Sequence, residues 1–172
     1  LNAQALSTNQ SNNITIGNNT LSIANPGGNN TTVGNNALKN CNGCSVNVGV
    51  GNNVMQNCTS CSGMVVLGFN SASNVTSGSY SFIAGQGSAE SLTTGSELIV
   101  MGVSALKSVT SQSGDIAIGS YALEKCVAND NTAVGRQALR YQTTPIGNTG
   151  IGFGAATNNI TGLNLLAAGA NA

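Results

Sequence analysis

The chain has 172 residues, with no histidine and no tryptophan, and charged side chains make up only 6% of it. Ordinary globular domains carry about 25%. Five basic and five acidic residues cancel. Lys39 is the first charge and none follows until Glu90, so the basic stripe that a nucleic-acid partner requires is missing. No apolar run approaches the roughly 18 residues of a membrane-crossing helix. The first residues also lack the charged and apolar segments of a signal peptide. No membrane insertion is expected, and any targeting segment has been removed or lies outside these residues. Solubility has to come from uncharged Asn, Ser and Thr. Such a composition can also mean disorder, but 40% hydrophobic content and a strict internal register argue for a folded chain.

Glycine supplies that register. Gly17, Gly34, Gly51, Gly68, Gly85, Gly102, Gly119, Gly135, Gly152 and Gly169 are 17 residues apart at every step except one of 16, from Gly119 to Gly135. The residue before each anchor is Ile16, Val33, Val50, Leu67, Ala84, Met101, Ile118, Val134, Ile151 or Ala168, all apolar. Three places after the anchor stands a small residue such as Ala37, Ser71 or Ala138. One further on, Leu21, Leu38, Met55, Leu106, Leu123 and Leu139 supply bulk, with Ala72, Ala89 and Ala156 as smaller variants.

A short fixed period means a solenoid, in which each repeat covers its neighbour. Helical repeats need about 34 residues or more, whereas this period has room for a short strand, a glycine turn, a second extended run and a polar return loop. The expected fold is all-β, a parallel β-roll or β-helix of about ten coils. Strands stacked about 4.8 Å apart make it a rod roughly 43 Å long. The whole of 1–172 reads as one repeat domain, with 1–12 as a lead-in and 13–172 as repeats; Pro26-Gly27-Gly28 marks a turn. The apolar end, Leu163 to Ala172, lacks a polar cap, which leads to the expectation of a longer fibre with further segments at both ends.

Met64-Val65-Val66-Leu67, Phe82-Ile83-Ala84 and Leu98-Ile99-Val100-Met101 are apolar at consecutive positions, where a strand with one wet face would alternate. A single small coil has one interior, so the second face is expected to meet another copy of the chain, in a parallel bundle about an axis along the rod.

The runs NTAVGRQAL (131–139), DIAIGSYAL (115–123) and TTVGNNAL (31–38) resemble the head repeat of YadA-like trimeric autotransporter adhesins. They also resemble the NTAIG-x-x-AL repeats of bacteriophage and giant-virus tail or surface fibres. The resemblance covers nearly the whole chain at repeat level. It implies a left-handed parallel β-roll, three of which associate about a common axis, with no catalytic machinery. Ala84, Ala168 and the run Gly85-Gln86-Gly87-Ser88-Ala89 depart from the pattern, and those coils are expected to be thinner or less regular. The expected function is a structural and receptor-binding segment of a trimeric extracellular fibre of the phage or virus tail-fibre type. A bacterial surface adhesin head and a self-assembling filament subunit are the alternatives on the same fold. An ice-binding solenoid would require a regular Thr column. The column three places before the anchor, Ile14 to Leu166, reads instead as a core column.

Cys41-x-x-Cys44 and Cys58-x-x-Cys61 repeat at the same 17-residue offset. Out of context, paired CxxC motifs suggest zinc. In adjacent coils they suggest disulfides, first Cys41–Cys44 and Cys58–Cys61, because a bond within one loop is inherited when a repeat duplicates. The inter-coil pairs Cys41–Cys58 and Cys44–Cys61 come second, since stacked positions also satisfy disulfide geometry. Disulfides imply an oxidising, extracellular setting. Cys126 occupies the place of Cys41, with Asn129 where Cys44 would be, and reads as a packed free thiol. Tyr121 and Gln137 should stack on adjacent coils near Arg136, Arg140 and Tyr141; these five are the candidate receptor surface, for a cell-surface glycan or protein. No P-loop or dinucleotide fingerprint accompanies the glycines. Among the scattered acids, Asp115 with Asp130 or Glu124 is the nearest to a glycan-cleaving pair. Neither an enzyme nor a cofactor is expected.

Overall fold

The computed structural model describes residues 12–22, 27–143, 146–158 and 162–172. The predicted lead-in, apart from Asn12, and Pro26 of the predicted turn lie outside them. Twelve three-residue strands follow one another: β1 Ile14–Ile16, β2 Thr31–Val33, β3 Val48–Val50, β4 Val65–Leu67, β5 Ser77–Ser79, β6 Phe82–Ala84, β7 Thr94–Ser96, β8 Ile99–Met101, β9 Ile116–Ile118, β10 Thr132–Val134, β11 Thr149–Ile151 and β12 Leu166–Ala168. Ten of them form one parallel sheet in the order β1-β2-β3-β4-β6-β8-β9-β10-β11-β12, and β5 pairs with β7 in a second. Isolated bridges Gly28↔Ser45, Ser45↔Ser62, Ser62↔Ser79 and Thr94↔Ser111 extend the second ladder. The chain is an all-β parallel solenoid of about nine turns, with no helix among the described residues.

The anchors hold the coils together for a steric reason. Gly34 has φ +130°, and a Cβ there would lie 2.2 Å from the carbonyl oxygen of Gly51 in the next coil. No side chain fits that gap. Two and four places on, the chain enters the left-handed region again, at Asn36 (φ 56°) and Leu38 (φ 47°) and at their equivalents. Asn tolerates that conformation, but Leu38, Met55, Leu106, Leu123 and Leu139 adopt it at a cost of about 1–2 kcal/mol each. Each is fully buried, which returns about 1.5–3 kcal/mol, and the Leu38 N–H donates to Val54 O at 3.0 Å in the next coil. Burial therefore wins, and the bulky residue is held against the interior.

The interior is thin: within each strand only the middle residue points inward, as Val66, Ile83, Val100, Ala117 and Ala133 do. A second inward column stands four places before the anchor. Asn13 Oδ1 accepts the N–H of Asn30 at 2.8 Å, Asn30 Oδ1 that of Asn47 at 3.0 Å, and Asn47 Oδ1 that of Met64 at 3.0 Å. Asp115, Asn131 and Asn148 repeat the ladder further along. These side chains satisfy main-chain donors where the coil turns into the strand, as buried donors require. Half-buried side-chain ladders run Asn36–Asn53–Asn70 and Asn40–Asn57–Asn74, as the doubled Asn pattern suggests.

Two expectations need correction. Ala84 and Ala168 do not disturb the coil: Leu67, Ala84 and Met101 stay in register, and so do Ile151 and Ala168. Their side chains point outward, so their size leaves the stacking distance unchanged. Nor does Asn129 take the place of Cys44. Ser79 N–H donates to Ser96 Oγ, Ser96 N–H to Ser113 Oγ, and Ser113 N–H to Asn129 Oδ1. Asn129 thus continues the column of Ser45, and the residue missing from the 16-residue step is lost between Cys126 and Asn129.

Candidate interaction surfaces

The strands put two apolar rows on the outside of the main sheet. The first and third residues of each strand flank the inward one, so the row three places before the anchor shares a face with the row just before it. Ile14, Ile16, Phe82, Ile99, Met101, Ile151 and Leu166 are all exposed, Leu166 by 70%. The column read from sequence as core is therefore an outer column, because the strand is only three residues long and its middle residue alone reaches the interior. Neither row holds a charged side chain along its length.

A different face carries hydroxyls. Thr59, Thr76 and Thr93 donate from Oγ1 to the carbonyls of Thr76, Thr93 and Thr110 at 2.8–3.0 Å. The regular Thr column that the sequence reading found missing three places before the anchor stands eight places after it.

The predicted receptor residues come together only in part. The Arg140 guanidinium carbon lies 4.8 Å from the ring centroids of both Tyr121 and Tyr141, and its Nε is 2.5 Å from Glu124 Oε2. Lys125 sits 5.4 Å from the Tyr141 centroid, and Arg136 lies 4.6 Å over Phe153. Gln137 stays outside this stack, and its main-chain carbonyl accepts the Thr157 hydroxyl at 3.1 Å. Glu124, Lys125 and Phe153 were missed as members. The signal was present, since Glu124 and Arg140 both stand five places after an anchor. Because Arg140 is already held by two rings and a carboxylate, the exposed cations left for a ligand are Lys125 and Arg136.

Cys41–Cys44 and Cys58–Cys61 are bonded, with Cα separations of 5.7 and 6.0 Å. The bonds close within each loop, and the stacked inter-coil pairing is not adopted. Among the described residues, no group of three or more His, Cys, Asp or Glu side chains is arranged to hold a metal ion. Cys126 is free and buried, and burial pushes its thiol up to about 12. Asn131 Nδ2 donates to its sulfur at 3.5 Å. Asp115 is sealed in the same interior. Burial raises its carboxyl to about 7 against the lowering effect of hydrogen bonds from Asn131, and nearby Asp130 adds to the rise. Its Oδ2 has no partner. Asp115 therefore cannot meet a solvent-side substrate together with Asp130, and Glu124 is engaged by Arg140.

Compared with protein-family models, with curated proteins and with solved structures, the chain matches none.

Proposed function

We propose that this solenoid is a structural and receptor-binding segment of a trimeric extracellular fibre of the phage or virus tail-fibre type, built as a left-handed β-roll. The observation that carries the reading is the uncharged apolar strip on the outside of the main sheet. It runs about 43 Å along the rod and about 10 Å across it. That gives roughly 400 Å², in the size range of patches that on soluble proteins mark interaction sites. Copies of the same chain, aligned in parallel about the rod axis, cover it best, because a face without charges complements itself. The two disulfides support an oxidising, extracellular setting, and the rim holding Lys125, Arg136 and the tyrosines is the candidate contact for a receptor.

Light scattering tests this. The expected mass is three times 17.1 kDa, falling to one chain when Met101→Lys places a charge in the strip. A compact wild-type monomer overturns the reading. A second reading, an ice-binding solenoid, is favoured by the Thr59–Thr76–Thr93–Thr110 column, whose hydroxyls are held in one repeated orientation. Thermal hysteresis and ice-crystal shaping by the purified chain test it, and their absence removes it.

A further inference from the structure

The two disulfides are not independent. Although each closes within its own loop, Cys44 Sγ lies 3.2 Å from Cys58 Sγ in the next coil, so the four sulfurs form a continuous chain in the order 41, 44, 58, 61. All four side chains are buried. The N–H of Cys61 also points at Cys58 Sγ, at 3.2 Å.

We infer that the two pairs form one exchange unit, in which opening either disulfide transfers the bond to Cys44–Cys58 and clamps one coil to the next. When the surface loop opens locally, a dithiol reductant reaches and reduces Cys58–Cys61, giving up two electrons and two protons and leaving as its own disulfide. The Cys58 thiolate then attacks Cys44 Sγ. The Cys44–Cys58 bond forms, the Cys41–Cys44 bond breaks, and Cys41 leaves as a thiolate that takes up the proton Cys58 released. If Cys41–Cys44 opens first, the Cys44 thiolate attacks Cys58 and Cys61 leaves. Both routes end at the same product, one inter-coil disulfide with Cys41 and Cys61 as thiols.

The consequence is mechanical. Bonds inside one loop carry no load between coils, which hydrogen bonds and the packed interior then hold together without a covalent cross-link. The exchanged bond lies along the rod and links two coils covalently. It also closes a longer loop than either starting bond, which constrains the unfolded chain more.

The test is a two-label experiment on the intact chain. One equivalent of dithiol is added, free thiols are alkylated after acid quench, and the remainder is reduced and alkylated with a second reagent. Trypsin leaves all four cysteines on the fragment between Lys39 and Lys107, where fragmentation locates each label. The expected first-label sites in singly reduced molecules are Cys41 and Cys61. First label on Cys41 with Cys44, or on Cys58 with Cys61, overturns the inference. Independently, Cys41→Ser/Cys61→Ser should lose two hydrogens on air oxidation, whereas Cys44→Ser/Cys58→Ser should keep both thiols. A natively folded Cys41→Ser/Cys61→Ser chain that keeps its thiols overturns it as well.

Discussion

Replacing Asp115 by Asn should stabilise the fold and remove its pH dependence near neutrality. Asp115 occupies a column in which Asn30 and Asn47 show what an amide does. Their Oδ1 accepts the next coil's N–H, and their Nδ2 donates at 3.0 Å to the carbonyls of Cys44 and Cys61. Asp115 reproduces the first half, accepting the N–H of Asn131 at 2.8 Å, but its Oδ2 has nothing to accept from. Only the protonated acid resembles the amide.

The carboxyl is raised from its ordinary 3.8 to about 7. Below the ordinary value both folded and unfolded chains hold the proton and nothing is lost. Between about 4 and about 7 the fold must hold a proton that the unfolded chain has released, so stability declines as pH rises. Above about 7 the loss levels off at about 4 kcal/mol. For a chain of this size that is a melting-temperature fall of about 10 °C. The background is quiet, because the chain has no His and Cys126 is pushed up to about 12. Thermal unfolding of wild type and Asp115→Asn at about pH 5 and about pH 8 decides the matter. The wild type should lose stability between the two and the variant should not. A flat wild-type profile, or a variant that keeps the slope, refutes the reasoning.

Gly34→Ala and Gly43→Ala separate steric from conformational cost, since both have positive φ but only the first faces a neighbouring carbonyl, at 2.2 Å, while nothing lies within 4 Å of the second. Urea titration should show a loss of about 3 kcal/mol or more for Gly34→Ala and about 1 kcal/mol for Gly43→Ala. Arg140→Ala removes an ion pair with largely covered partners and two ring contacts. It should cost about 2 kcal/mol, with hydrogen exchange rising first in 121–142. Thiol titration of the folded protein should find Cys126 unreactive near neutral pH and reactive on unfolding, because the raised, buried thiol is neither ionised nor reachable.

Period and strand positions were legible because they depend on one-dimensional spacing, whereas spacing alone left both the intra-loop and the inter-coil cysteine pairings open. Which way a side chain faces was legible only where the anchor determined it. The row three places before the anchor was misjudged because apolar character alone does not say which side of a three-residue strand a residue takes, and Ile14 and Ile99 lie exposed on the outer one. The Asn13–Asn30–Asn47 column was visible at the right spacing but is interrupted by Met64, Ser81 and Leu98, and that mixture hides a polar ladder. The place of the lost residue could not be counted from the anchors, since the strand on either side keeps its register whichever residue is absent. The bonds from the Ser113 N–H to Asn129 Oδ1 and from the Asp130 N–H to Ser113 O locate it.

That location connects two features that look unrelated. Among the described residues the bridges of the second ladder end at Ser111, just before the coil that lost its residue, although the Asp130 N–H still donates to Ser113 O beyond it. The same coils contain the Glu124–Arg140 ion pair and every cation–ring contact found among the described residues. Six of the seven residues in these contacts, Tyr121, Glu124, Lys125, Arg136, Arg140 and Tyr141, come from the two coils on either side of the short step. A main-chain hydrogen bond contributes about 1 kcal/mol net, and a covered ion pair with two ring contacts is of the same order or somewhat more. Side-chain bonding of that size is enough to offset one or two missing rungs. The concentration of charge in the last third of a sparsely charged chain then has a structural cause, and Lys125 and Arg136 are the cations there that do not share in the ion pair.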